Sequence, residues 1–225
     1  LELFQFIRQL GLSHNIVLNP PAIVTDFELA SINPFHKTFP NSLQHGCLFH
    51  LAKALEDNFK KRHLNNQYRK YIKYFKCLSY LPPQDIEKGF SLINFPEEIN
   101  DFASYFYENF ISGRKTNSPL FPPHLWSNYN NALLDLPTTS NNVESWHNRV
   151  RKMLLTNSFK GILEFIHQEQ GIVELSCISI KDSNSPRKVV KPETQEKRSD
   201  LEIIASTYKL SNIIDYLKDI HLRLY

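Results

Sequence analysis

Ala22-Ile23-Val24-Thr25-Asp26-Phe27-Glu28 is a short apolar run that ends on an acid, and its reading decides the layer on which this chain is built. Ile, Val and Thr are branched at Cβ and fit a pleated strand, while Asn19-Pro20-Pro21 just before them favours a turn. A strand is therefore expected over Ala22 to Thr25, with Asp26 at its end and a helix opening at Phe27. That helix should run to Phe39, punctuated by Pro34 and closed by Pro40. Leu43 to Cys47 is a second short strand candidate. Leu48 to Arg62 follows as an amphipathic helix carrying Leu48, Leu51, Ala52, Leu55 and Phe59 on one side. Upstream, Leu3, Phe4, Ile7 and Leu10 mark a helix with Gly11 as its stop. Short strands alternating with helices point to an α/β layer.

From Gln67 the pattern becomes helical only. Tyr71, Ile72, Phe75 and Leu78 form one stripe, Ile86, Phe90 and Ile93 another, and Ile99, Phe102, Phe106 and Phe110 a third. Ser112 to Pro119 reads as an exposed loop, and Pro122-Pro123 opens a helix with Leu125, Trp126, Tyr129 and Leu133. Thr139 to Arg151 then places Glu144 in the first turn of a helix whose Val143, Trp146, His147 and Val150 recur at helical spacing, with Trp146 as a core anchor. An acid in that turn faces the positive end of the helix dipole, which is the structural explanation for it. A further helix is expected to reach about Cys177. Lys181 to Arg198 loses periodicity and has six basic against three acidic residues, so it reads as a flexible linker before a C-terminal helix over Asp200 to Tyr225.

With 225 residues, 16 Phe and 10 Tyr, the chain has ample material for a packed interior. Its formal charge of +3 permits a nucleic-acid partner without requiring one. Cys47, Cys77 and Cys177 are odd in number and widely spaced, which argues for a reducing, intracellular setting rather than a disulfide framework. No apolar run is long enough to span a membrane. A start at Leu1 inside a helical pattern suggests a piece of a longer protein.

Thr25-Asp26-Phe27-Glu28, then Gly46-Cys47-Leu48-Phe49-His50, then Leu125-Trp126-Ser127-Asn128-Tyr129 and Asn141-Asn142-Val143-Glu144-Ser145-Trp146-His147-Asn148-Arg149 occur in an order that resembles the Mutator-like (MULE) transposase domain over about Ala22 to Gln170. The resemblance implies a partial RNase H-like α/β fold, predominantly helical overall. Residues 1–66 and 137–178 would form the partial catalytic core, 67–136 a large helical insertion, 179–199 the linker and 200–225 the C-terminal helix. It further implies a DDE-type enzyme that cleaves and joins double-stranded DNA at transposon ends and target, in the nucleus, with self-association as a further expectation.

Two carboxylates drawn together from distant segments suit hard Mg²⁺ or Mn²⁺ ions, which bind oxygen and flank an in-line displacement. By the resemblance, Asp26 and Glu144 match the second Asp and the Glu of the triad. Residues 1–25 contain no Asp, so the first is expected upstream and the chain alone is expected to be inactive. Cys47 and His50 are a thiol and an imidazole of the kind that hold Zn²⁺, or else a packed pair beneath the catalytic strands. His147, Asn148, Arg149 and Arg151 are candidates to support Glu144 or to contact DNA phosphate. A non-catalytic DNA-binding or assembly protein derived from a transposase is the alternative. An unrelated hydrolytic enzyme using Asp26 and Glu144 as an acid/base pair is a third reading.

Overall fold

The computed structural model describes residues 1–114, 117–136, 141–153, 158–181 and 192–225, without the side chains of residues 141–144, 147 and 153. Strand β1 (Ala22–Thr25) and strand β2 (Leu43–Gly46) pair in parallel, in the register Ala22↔Leu43 to Thr25↔Gly46. A parallel pair needs a crossover between its strands, and α2 (Leu29–Thr38) supplies it. Helix α1 (Glu2–Ser13) precedes β1 and packs against α2, with Phe4 set edge-on to Phe35. Among the described residues the sheet has these two strands, and the chain is predominantly helical.

Six further helices of the first unit, which comprises residues 1–139 and 196–225, contribute to one aromatic core. They are α3 (Leu48–Lys61), α4 (Lys70–Leu78), α5 (Ile86–Ser91), α6 (Asn100–Phe106), α7 (Pro123–Trp126) and α8 (Tyr129–Leu133). Leu51 and Leu55 of α3 are completely buried and face α4 and α6, as their four-residue spacing dictates. Each such side chain contributes about 1.5–3 kcal/mol by leaving water. Phe75 lies flat on Phe106 at 4.3 Å, and the Trp126 ring meets Phe106 edge-on while its Nε1 donates to the Phe110 carbonyl at 2.8 Å. After α6 the chain winds one π-helical segment over Tyr107–Ile111, closed by Ser112 N–H to the Tyr107 carbonyl. That extra residue per turn lets Phe110 and Ile111 both point inward.

Several boundaries differ from the sequence expectations. The second helix opens at Leu29 rather than Phe27, because Phe27 is drawn into the core against Phe110 and Phe121. Gly11 does not stop α1, which continues to Ser13. The chain folds back so that Leu18 lies on Gly11, where any Cβ would stand 2.9 Å from it. Helix α3, from the first 66 residues, shares its core with the helical block at 67–136.

The expected linker is helical at both ends. Helix α10 (Phe159–Lys181) runs past Cys177, and α11 (Pro192–Ser206) begins where Pro at the first position costs no hydrogen bond. Residues 182–191 lie outside the described residues. The C-terminal helix is two helices, α11 and α12 (Ile213–Leu224), joined through a short 3₁₀ turn. Both enter the core of the first unit: Ala205 and Ile220 are completely buried, and the Tyr216 hydroxyl donates to the Tyr80 carbonyl at 2.6 Å. The second unit, residues 140–195, contains α9 (Asn141–Met153) and α10.

Candidate functional site

Both strands leave the sheet at the same level. The last rung is Cys47 N–H to the Thr25 carbonyl at 2.8 Å, so Asp26 and Cys47 emerge side by side at the carboxyl ends of two parallel strands. In open α/β layers this edge is where ligands meet the protein, because the loops there are free to vary while the strands hold them in place. Cys47 caps α3 in extended conformation, and its carbonyl accepts from Leu51 N–H at 3.0 Å. His50, in the first turn of α3, turns back to the sheet edge, and its Nδ1 stands 2.9 Å from Asp26 Oδ1. The distance is that of an ion pair, without the alignment of a hydrogen bond. Asp26 is half exposed and His50 is 28% exposed, so solvent reaches the carboxylate.

The site is held in place from the helical block. At Gly46 an added Cβ would stand 2.5 Å from the Phe27 ring, a distance no real methyl tolerates, so only glycine lets that ring lie across the end of β2. Phe27 in turn meets Phe121 edge-on at 5.0 Å and Phe110 at 5.9 Å. The residue after Asp26 is therefore anchored in the aromatic core, and the acid projects from a fixed point of main chain. Among the described residues, Thr25 Oγ1 and both ring nitrogens of His45 are buried without a hydrogen-bond partner. Burial lowers the His45 pKa and keeps that ring neutral.

In the second unit, Glu144 and His147 lie on α9, and their side chains are outside the described residues. Asp26 belongs to the first unit and Glu144 to the second. Asn148 and Arg151 are exposed on α9. Arg149 does not project freely toward a nucleic acid: its guanidinium pairs with Glu169 of α10, Nη1 to Oε1 at 2.5 Å and Nη2 to Oε2 at 2.8 Å. Trp146 is not a core anchor, being 41% exposed. Its ring sits against Phe165, and its Nε1 donates to the same Glu169 carboxylate at 2.7 Å. That indole bond, and then Arg149, hold the Glu169 carboxyl below its usual pKa.

No family model, curated protein or solved structure matches this chain.

The chemistry of the site therefore rests on its donors. Asp26 offers carboxylate oxygen of the kind that Mg²⁺ and Mn²⁺ prefer, and it is accessible. Cys47 is buried, and His50 is turned onto Asp26. Among the described residues no three His, Cys, Asp or Glu side chains gather as a metal site, which leaves the Zn²⁺ expectation without further ligands there. The roles of Glu169, Phe27 and Gly46 were not among the sequence expectations. Glu169 carries no local signal, since it is one acid on a long helix. Gly46 did carry one: a glycine ending a strand marks a close approach.

Proposed function

We propose that this chain is part of the catalytic core of a Mutator-like DDE transposase, built on an RNase H-like sheet and acting on double-stranded DNA in the nucleus. One observation carries the reading. Asp26 stands at the carboxyl end of β1, beside the end of β2 from which Cys47-x-x-His50 departs, with His50 Nδ1 2.9 Å from the carboxylate. A strand-end Asp followed by a strand-end Cys-x-x-His and, far along the chain, a helix-borne Glu144 is the ordered set that the resemblance rests on.

Asp26 and Glu144 would hold the divalent ion, and an Asp from another segment would complete the set. A bound Mg²⁺ or Mn²⁺ would lower the pKa of an attacking water or 3′-hydroxyl and stabilise the leaving oxygen. This chain's own contribution is positional. The β1–β2 ladder fixes the main chain of Asp26, Phe27 anchors its neighbour, and His50 limits the directions the carboxylate can take. When protonated, His50 also offsets the Asp26 charge and weakens its hold on a cation. That contact supports a second reading, a DNA-binding or assembly protein that keeps the fold and has set the carboxylate to a structural use.

Calorimetric titration with Mn²⁺ separates the two. Under the first reading the chain binds Mn²⁺, and Asp26→Ala and Glu144→Ala each abolish the signal, whereas His50→Gln retains it. Binding that survives Asp26→Ala would overturn the transposase reading of this site.

A further inference from the structure

Away from the strand edge, a groove of about 500 Å³ runs along α4, lined by Glu56, Arg69, Lys70, Lys73, Lys76 and Tyr225 among others. The one acid among the described residues that line it, Glu56, is already engaged: Arg69 meets it in bidentate fashion, Nη2 to Oε2 at 2.8 Å and Nε to Oε1 at 3.2 Å. Three ammonium groups remain. Among the described residues Lys70, Lys73 and Lys76 have no carboxylate within ion-pair distance. Lys73 and Lys76 both rest on the Tyr225 ring, at 4.6 and 5.1 Å from its centre. An aromatic face holds cations in position without cancelling their charge. Burial lowers the Lys76 pKa, while the nearby charges of Lys197 and Lys73 act in the same direction and Cys77 and Glu56 in the opposite one.

Three cations without a carboxylate in ion-pair distance among the described residues, held close together along one helix, attract an anion. Their arrangement says which anion. Lys70, Lys73 and Lys76 recur every third residue, so they spread over about 9 Å of helix axis at about 1.5 Å per residue. A single phosphate is gripped by donors that converge on one point, whereas a row of point charges along an open groove suits a linear polyanion.

We propose that the α4 groove is a contact for the phosphodiester backbone of double-stranded DNA, with Lys70, Lys73 and Lys76 as the phosphate-facing residues. The choice of DNA rests on the function proposed above; the groove itself does not depend on Asp26 or on any metal.

The test is fluorescence anisotropy of a labelled random-sequence 20-base-pair duplex in EDTA, over a series of salt concentrations. It compares the chain, the triple variant Lys70→Gln/Lys73→Gln/Lys76→Gln, and a charge-matched control, Lys152→Gln/Lys160→Gln/Lys181→Gln, on the second unit. Removing the three lysine–phosphate pairs should reduce the slope of log K against log[salt] by about 2.7, at about 0.9 per neutralised phosphate. At low salt the triple variant should bind at least about tenfold more weakly than the control, since every phosphate that a lysine neutralises strengthens binding by a factor of several. Equal weakening in triple variant and control would overturn the proposal, because net charge alone would then explain binding. Saturable binding of inorganic triphosphate through these lysines, without duplex binding, would overturn it too, in favour of a small-anion site. The Asp26→Ala variant serves as a separator: if it binds duplex normally in EDTA while failing to bind Mn²⁺, the groove and the metal site stand as independent findings. If the chain fails to bind Mn²⁺ but the lysines still govern duplex binding, only the catalytic reading falls.

Discussion

Replacing Gly46 with alanine perturbs the point where sheet, core and candidate site meet. The new methyl would lie 2.5 Å from Cζ and 2.7 Å from Cε1 of Phe27, so one of the two must move. Phe27 has little room, since Phe110 and Phe121 press on it edge-on and both are buried. Overpacking of this kind costs about 1–3 kcal/mol. For a domain of this size each kcal/mol lowers the melting midpoint by about 2–4 °C, so Gly46→Ala should melt about 2–12 °C below the parent chain. The same displacement should reach Asp26, which precedes Phe27 in the chain, and shift the NMR signals of the His50 ring that faces it. A double variant that also carries Phe27→Leu relieves the clash, so the two costs should sum to less than expected for independent sites. Thermal unfolding followed by circular dichroism measures the first effect and a proton–carbon spectrum the second. An alanine variant with an unchanged midpoint and unmoved His50 signals would refute the claim that Gly46 is required by the approach of Phe27.

Three further outcomes follow from single interactions. Tyr216→Phe removes the hydroxyl that satisfies the buried Tyr80 carbonyl and should cost about 1–3 kcal/mol in urea unfolding; a change near zero would mean that α12 is not locked to the core through that bond. His45 is kept neutral by burial, its pKa in the fold lying below the ordinary 6.5. Its contribution to stability is therefore full above pH 6.5 and is lost as the pH falls from there through the lowered value, where the unfolded chain gains the proton first. The parent chain should lose stability between pH 7 and pH 5 more steeply than His45→Leu, and parallel curves would contradict this. Burial pushes the Cys77 thiol up to about 12, while Cys177 is exposed. Iodoacetamide at neutral pH should modify Cys177 in the folded chain and reach Cys77 only after unfolding, and mass spectrometry of tryptic peptides would expose the opposite order.

Strand β1, the crossover after it and the stripe of α3 were legible because a β-branched run preceded by prolines and a clear helical spacing leave few alternatives. Phe75, Phe102, Phe106 and Phe110 were likewise legible as core, since they recur at helical intervals between turn signals. What could not be read were facts of tertiary contact. Nothing local to Phe27 says that it turns inward and delays the helix, or that Leu18 folds over Gly11 and lets α1 continue. Trp146 sits on an apolar stripe and reads as buried, yet its indole is claimed by Glu169 of the following helix, a partner that no spacing rule connects to it. The charged stretch before Asp200 looked like a linker because its apolar positions come late. Proline at the first position and packing of Leu201 and Ala205 make it helical instead. At the site, the acid at the strand end was visible in the sequence, whereas its pairing with His50 required the fold to bring α3 back over the sheet edge.

The most direct test of the central claim is whether Asp26 and Glu144 share one metal. Titrating Mn²⁺ into isotopically labelled chain and recording amide line broadening addresses this, because the unpaired electrons of the ion broaden only nearby nuclei. If Asp26 and Glu144 do share one metal, amides around Asp26, from Val24 to Phe27, and those around Glu144, from Val143 to Trp146, broaden together at the same Mn²⁺ concentration, and Asp26→Asn removes both effects. Broadening at one segment without the other, or an undiminished response in Asp26→Asn, would contradict a shared metal.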